Sequence, residues 1–358
     1  MTSTVAQSRL DGLDFARFIA FVGMVLVNFR LVVSGDAPAD PHLLDDVIAL
    51  MEGRAAATFV VLAGIGLGLA QLRTPLNTIT AITLKRAVFL FLLGLLNLLA
   101  FDADILHYYA VYFLFGALLL PLSKLGLVLF ILLLNSLSVL LILVLNYDTG
   151  WNWSDYTYSD FWTLEGFVRH LFFNGWHPVI PWLSYLLFGV LLSRYDLAKQ
   201  KTQYLLMLLG GLAVLEAEVA CTLLQPELAE IDPELVFLAT TEALPPMPLY
   251  MLAGLGSASF VIGLCLLLSR YISQISLLGR NLLAWFTPAG RQTLTLYLAH
   301  IFIGMGVLEE LGFIGNQSVV VAFSAAVLFC LFTMLYACIW GLYFKRGPLE
   351  ALMRRLTG

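Results

Sequence analysis

The sequence predicts an all-α fold: a polytopic transmembrane helix bundle of about ten spans, with the N- and C-termini cytoplasmic. Three observations carry this. Sixty per cent of the residues are hydrophobic, 12% are charged, and mean hydropathy is +0.90; a soluble domain carries roughly 25% charged residues. Runs of about 17–25 apolar residues, the length that crosses hydrocarbon, recur along the whole chain. The basic residues also segregate into alternate connecting segments.

Taken in order, the predicted spans are 15–33, 47–70, 82–101, 105–122, 125–146, 178–194, 203–224, 247–269, 291–312 and 318–344. The fourth and sixth are short and carry polar residues, so counts of nine and eleven stay open. The first run is flanked by Asp14 and Arg17 and lacks a small-residue cleavage site, so it is kept as a helix rather than a signal peptide. In the second, "GIGLG" spaces Gly64 and Gly68 four apart, which lets a neighbouring helix approach closely. Residues 147–177, which begin "YDTGWNWSDYTYSDFWTLEGF", form the longest outer segment and are expected to be an ordered extracytoplasmic cap. Trp176 and Trp182 suit the headgroup layer as belt residues. Pro178 suits a first helical turn. Residues 270–290 are expected to be a cytoplasmic interfacial helix with a break at Pro288–Gly290. No water-soluble domain is visible, so residues 1–358 are taken as one integral membrane domain. No internal repeat stands out, which disfavours an inverted-repeat transporter.

Charge tests the orientation. With the N-terminus inside, fifteen of the nineteen basic residues fall on inner segments, as the positive-inside rule requires. The exceptions are Arg17 at the inner edge of the first span, and Arg30, Arg54 and Arg169 towards the outside. Outer loops collect acid, including Asp36, Asp40, Asp45, Asp46, Asp102 and Asp104. An even number of spans returns the basic tail "FKRGPLEALMRR" to the inner side. The four cysteines, Cys221, Cys265, Cys330 and Cys338, lie in apolar runs as small buried side chains with no metal-ligand spacing, and no metal is expected.

Polar groups inside spans are costly and mark candidate sites. Asn28 sits near the outer third of the first span. Arg54 lies about 10 Å inside the second at 1.5 Å per residue, and either pairs with an outer-loop aspartate or faces a cavity. Asp104 can cap the fourth helix, and His107 follows one turn further in, near Tyr108, Tyr109 and Tyr112. His300 lies nine residues past Arg291, about 13.5 Å into a core about 30 Å thick. It is either a neutral histidine bonded to a backbone carbonyl or hydroxyl on the next helix, or chemically active, with Thr293 and Tyr297 on much the same face. His177 opens the sixth span beside Asn174, His42 lies in an outer loop, and His170 reads as a surface residue. Histidine is suited to general-base work because its ordinary pKa is near neutrality. The candidate catalytic residues are therefore His42, His107 and His300. Asn28, Arg54, Asn174, His177, Trp182 and Tyr297 are candidates for lining an outer, acceptor-side chamber. No GxSxG elbow, Walker motif or HExxH is present, and nothing suggests a nucleic-acid partner.

"RLDGLDFARFIAFVGMVLVNFR", "GRAAATFVVLAGIGLGL" and "GRQTLTLYLAH" resemble helices of the heparan-α-glucosaminide N-acetyltransferase type of membrane acyltransferase. "NGWHPVIPWLSYLLFGVLLSR" and "YFKRGPLEALMRRLTG" resemble the bacterial domain-of-unknown-function family 418. The resemblance implies a bacterial cytoplasmic-membrane protein that moves an acyl group from cytoplasmic acetyl-CoA to an extracytoplasmic glycan, amino sugar or other small-molecule acceptor. It also implies a histidine between the first-helix Asn and the second helix as base or acyl carrier, which here is His42. Asp14, Arg17, Asn28 and His300 correspond to family positions. On that resemblance Lys85, Arg86, Arg280 and Arg291, with Arg17, are candidates to hold CoA phosphates, while the positive-inside rule alone also puts Lys and Arg on this side. The rivals are a permease for a small solute or lipid-linked intermediate, and a structural membrane subunit. A homo-oligomer stays open.

Overall fold

The computed structural model describes residues 10–35, 43–275, 277–315 and 317–358, with backbone alone for 275 and 277–282. Its helices are α1 (Asp11–Ser34), α2 (Leu43–Ala49), α3 (Arg54–Gln71), α4 (Leu76–Asn97), α5 (Leu106–Leu119), α6 (Lys124–Val144), α7 (Leu164–Arg169) and α8 (Val179–Leu192). They continue as α9 (Gln200–Ile231), α10 (Pro248–Ile275), α11 (Leu277–Gly290), α12 (Thr293–Ala299), α13 (Gly306–Glu310), α14 (Val319–Tyr343) and α15 (Pro348–Thr357). A two-residue hairpin, β1 (Trp151–Asn152) against β2 (Thr157–Tyr158), is the sheet structure among the described residues.

Seven of the described helices, with α2 and α3 taken together, are long and apolar enough to cross a membrane. The pair formed by residues 164–174 and α8, bent by 50°, makes an eighth if it is one span. Besides this sixth span, whose α8 is 14 residues long, two predicted spans do not reach that length as continuous helices. The fourth is α5, only 14 residues long. The ninth is divided by a π-helical turn at His300–Met305, between α12 and α13. The long helices expose leucines that would be insoluble in water, among them Leu92, Leu96, Leu132, Leu143, Leu208 and Leu328. A protein with this surface is an integral membrane protein.

At the centre stands α1, packed by α3, α10, α11 and α14. Helix α3 lies against α8 at backbone distance, because a Cβ on Gly64 would fall on the carbonyl oxygen of Leu186. That close approach fixes α8, which carries Trp182. The predicted interfacial segment 270–290 is divided between the end of α10 and helix α11, with no break at Pro288. Helix α11 runs through Pro288, and its Phe286 packs on Phe15 and Phe18 of α1 with ring centroids 5.3 and 5.8 Å apart.

Opposite the start of α1, residues 147–177 fold as a compact cap. Asn174 ties it together: its Nδ2 donates to the carbonyls of Tyr147 at 2.7 Å and Thr149 at 2.8 Å, and its Oδ1 accepts from the Tyr158 hydroxyl at 2.8 Å. Two belt and surface readings are corrected. Trp182 is fully buried and packs edge-on to His177 at 4.6 Å and to Tyr185 at 5.1 Å. His170 is buried as well, because the hairpin folds over it and Phe161 and Tyr158 press on its ring.

Candidate functional site

The site begins where α4 ends. A tight turn follows Asn97, and Asp104 then starts α5 by accepting from the backbone N–H groups of Leu106 at 2.8 Å and His107 at 3.3 Å. This is the capping role read from the sequence. The same carboxylate does more. It accepts from Asn97 Nδ2 at 2.6 Å, from the Tyr297 hydroxyl at 3.2 Å and from His107 Nδ1 at 3.2 Å. Asp104 and His107 are both wholly buried. Five donors thus converge on two oxygens, and each bond orients the carboxylate towards the imidazole. Because the carboxylate accepts, Nδ1 carries the hydrogen and the lone pair of His107 lies on Nε2. That Nε2 is buried and has no partner among the described residues. Helix α4 makes room for this arrangement, since a Cβ on Gly94 would collide with the backbone N of His107.

Beyond His107 the aromatic groups form a continuous stack. The rings of His107 and Tyr108 are 4.0 Å apart, and those of His107 and His170 are 6.3 Å apart and nearly parallel. The Tyr108 hydroxyl bonds His170 Nδ1 at 2.9 Å. His177 stands on the other side of Tyr108, 5.8 Å ring to ring, with its own Nδ1 buried and without a partner among the described residues. The hydroxyl of Tyr112 donates to the His177 carbonyl.

Three predicted residues meet at one cavity of about 50 Å³, lined by Asn28, His177 and Tyr297 with Met24, Gly53 and Ile105. A water needs about 10–15 Å³ of such space, so a few waters or a small functional group fit. Tyr297 joins this cavity to the dyad, because its hydroxyl donates to Asp104 while accepting from the Ile105 N–H at 3.3 Å. Trp182 lies behind His177, not on the cavity wall.

His300 is placed otherwise. Its Nδ1 donates to the Tyr297 carbonyl and its Nε2 accepts from Asn28 Nδ2 at 3.0 Å. Both ring nitrogens are used, but the carbonyl lies three residues earlier on the same helical run rather than on the next helix, and the contact to another helix is to the Asn28 amide of α1. His300 fixes Asn28 and the π-helical turn that it opens. Asn174 is likewise committed, with its amide spent on the cap, and gives no free polar group to a chamber. Arg54 pairs with Glu218 of α9, whose other oxygen accepts from Thr241 at 3.2 Å. The expected outer-loop aspartate is not its described partner. His42 lies outside the described residues.

The predicted CoA-binding cations fall into two groups. Arg17 and Arg291 share Asp14, at 2.6 and 2.9 Å, and Arg291 also reaches Asp11 at 3.1 Å. This network lies 14 residues before Asn28 on α1, a rise of about 21 Å. Lys85 is exposed on α4, and Arg86 follows it with its Nε buried and unpartnered, in the field of Arg346 and Arg354. The side chain of Arg280 lies outside the described residues. Among the described residues, no three His, Cys, Asp or Glu side chains are grouped to hold a metal ion.

Sequence reasoning missed Asn97, His170 and the wider role of Asp104. The spacing Asp104–His107 was the available signal, since residues three apart share a helix face. Asn97 gave none.

The fold and site thus define an integral membrane protein built round a buried carboxylate–imidazole pair. Residues 9–216 match the family described as heparan-alpha-glucosaminide N-acetyltransferase, catalytic, and the chain belongs to that family. Residues 194–358 match the family described as protein of unknown function DUF418. No curated protein matches the chain.

Proposed function

We propose that the protein moves an acyl group, most simply acetyl, from acyl-CoA on the cytoplasmic side to an amine or hydroxyl of a glycan, amino sugar or similar acceptor outside. His107 is the general base. The observation that carries this reading is the buried Asp104–His107 pair, with Nε2 free and its hydrogen-bond support reaching a polar cavity. The acceptor oxygen or nitrogen attacks the thioester carbon and its proton passes to Nε2. The C–S bond breaks, and the CoA thiolate leaves with the proton that the His107 imidazolium returns, which restores the neutral base. Asp104 holds the ring in the required tautomer and stabilises the imidazolium that forms, a division of labour that recurs in carboxylate–histidine pairs.

On this reading both termini face the cytoplasm of a bacterial cell, and α5 and residues 293–310 complete a count of ten crossings. Arg86, with its unpartnered Nε, and Lys85 are the cations best able to take the donor's phosphates. Arg17 and Arg291 already neutralise Asp11 and Asp14, so their role is to fix the inner end of α1. His300 and Asn28 position the cavity wall.

Purified full-length protein incubated with labelled acetyl-CoA tests the proposal through CoA release with and without candidate amino sugars. Acceptor-dependent release that is lost in His107→Ala is the expected result. Loss confined to a His42→Ala variant would move the base to the position implied by family resemblance. No CoA binding and no turnover by folded protein would refute acyl transfer, leaving the same cavity to a permease.

A further inference from the structure

A second concavity, of about 120 Å³, opens beneath the cap hairpin, apart from the cavity at Asn28 and Tyr297. It brings Asp102, from the turn between α4 and α5, together with Tyr156, Tyr158, Trp162, His170 and Trp176. These rings are held in place. Tyr156 and Trp176 lie 5.9 Å apart at 30°, and Tyr158 meets His170 edge-on at 4.6 Å. Trp162 is braced edge-on against Phe161 at 5.0 Å while remaining 69% exposed. The hairpin carries Tyr156 at a φ of 54°, in the left-handed region that non-glycine residues seldom occupy. That conformation presents the ring at the cleft.

Arg169 lies outside the lining, 5.5 Å from the Tyr158 ring centroid, and is paired with Asp160; the charge on the lining of the cleft itself is one-sided. Among the described residues no lysine or arginine lines it, and its one carboxylate, that of Asp102, has no ion-pair or hydrogen-bond partner. Aromatic faces carry negative potential and attract cations, and several converging faces make the cages that hold ammonium groups. A belt at the membrane interface explains aromatic side chains set singly among headgroups. It does not explain their convergence on one hollow with an unneutralised carboxylate at the edge. The volume of about 120 Å³ is well under the roughly 300–1,000 Å³ of sites for whole drug-sized ligands, so the occupant is a small group rather than a whole drug-sized molecule.

We propose that this cap cleft, formed by Asp102, Tyr156, Tyr158, Trp162 and Trp176, binds an organic ammonium group. The site does not depend on acyl transfer, and its test can fail or succeed independently of that activity.

The probes are choline and tetramethylammonium, titrated at constant ionic strength into the full-length protein in a maltoside detergent, with tryptophan fluorescence as the readout. The control is 3,3-dimethyl-1-butanol, which has the shape of choline with carbon in place of the charged nitrogen. Saturable quenching by both cations, at least about tenfold weaker with the neutral isostere, is expected. Asp102→Asn and Tyr156→Leu, both at exposed positions and both leaving Trp162 as reporter, should each weaken binding about 3- to 30-fold. A response to the isostere equal to that of choline, or no saturable response, overturns the proposal. So does unchanged affinity in both variants. Nanodiscs separate the two sources of such a group: a site for a soluble ligand titrates alike in phosphatidylglycerol and phosphatidylcholine. A site for a lipid headgroup responds in the first and is already filled in the second. Silence in both overturns the proposal.

Discussion

The Nδ1 of His107 donates to Asp104 at 3.2 Å, at the very start of α5, and both side chains are completely shielded from solvent. A buried carboxylate could serve α5 as a cap without a histidine on its other flank. Five donors to one carboxylate, with an unpartnered Nε2 beyond, suit a group that must hold a fixed tautomer and accept a proton.

The first prediction separates that role from packing. Asp104→Asn preserves shape but offers His107 an amide, which can stabilise the tautomer with hydrogen on Nε2. Removing a general base of this kind costs about 10²–10⁴-fold. Asp104→Asn and His107→Gln should therefore each lower CoA release by roughly that factor, with monodisperse elution preserved. Comparable loss of activity and of the folded peak would assign the pair to structure.

A second prediction concerns the cap. Asn174 makes three side-chain hydrogen bonds that join residues 147, 149 and 158 to the helix entering the bundle. Asn174→Ala leaves two carbonyls and a hydroxyl unmatched, at about 1–3 kcal/mol for each buried group left unsatisfied. The expected outcome is faster hydrogen exchange and proteolytic nicking confined to 147–162, with the bundle helices unchanged. Cap protection equal to wild type would show that aromatic packing alone holds it.

How much was legible in the sequence depends on the range of each interaction. Span positions, the Gly64 contact, the Asp104 cap and the depth of His300 depend on local spacing, and periodicity reports those directly. The rest depends on which helices become neighbours. One alternative for Arg54 was an outer-loop aspartate, yet its partner is Glu218, which lies within the predicted span 203–224 on a helix 164 residues further along the chain. Asn97 and Tyr297 reach Asp104 from helices separated from each other by 200 residues, and no single-chain pattern encodes that meeting. His170 looked exposed because the hairpin that buries it contains only two paired residues per strand, too few to show an alternating pattern.

The pairing of Arg54 with Glu218 gives the third prediction. Arg54 is 9% exposed, while the side chain of Glu218 is 39% exposed, so screening reduces the cost from that of a fully buried pair. Arg54→Met alone leaves the half-buried Glu218 carboxylate without its counter-ion and should destabilise by about 1–3 kcal/mol. The double variant Arg54→Met/Glu218→Leu should recover most of it, because no charge is then left unpaired. Thermal unfolding in detergent measures both. Additive losses in the double variant would show that the two residues do not depend on one another.

The last prediction concerns Glu350, which hooks the C-terminal helix α15 onto the start of α12. Its carboxylate accepts from the backbone N–H groups of Leu294 at 2.8 Å and Thr295 at 3.1 Å, and from the Thr295 hydroxyl at 2.6 Å. Burial pushes its pKa above the ordinary 4.5, and these donors only partly offset that. The folded protein therefore holds the Glu350 proton more tightly than the unfolded chain does. Linkage then requires stability to fall as pH rises from about 4.5 through the folded value, and to level off above it. Glu350→Gln keeps an oxygen acceptor and cannot ionise, so it lacks this contribution. The stability of Glu350→Gln relative to wild type should rise with pH across that window and plateau beyond it, as followed by thermal melts in a pH series. A relative stability that falls with pH would mean that the three donors outweigh burial, making the ionised carboxylate the preferred partner of α12.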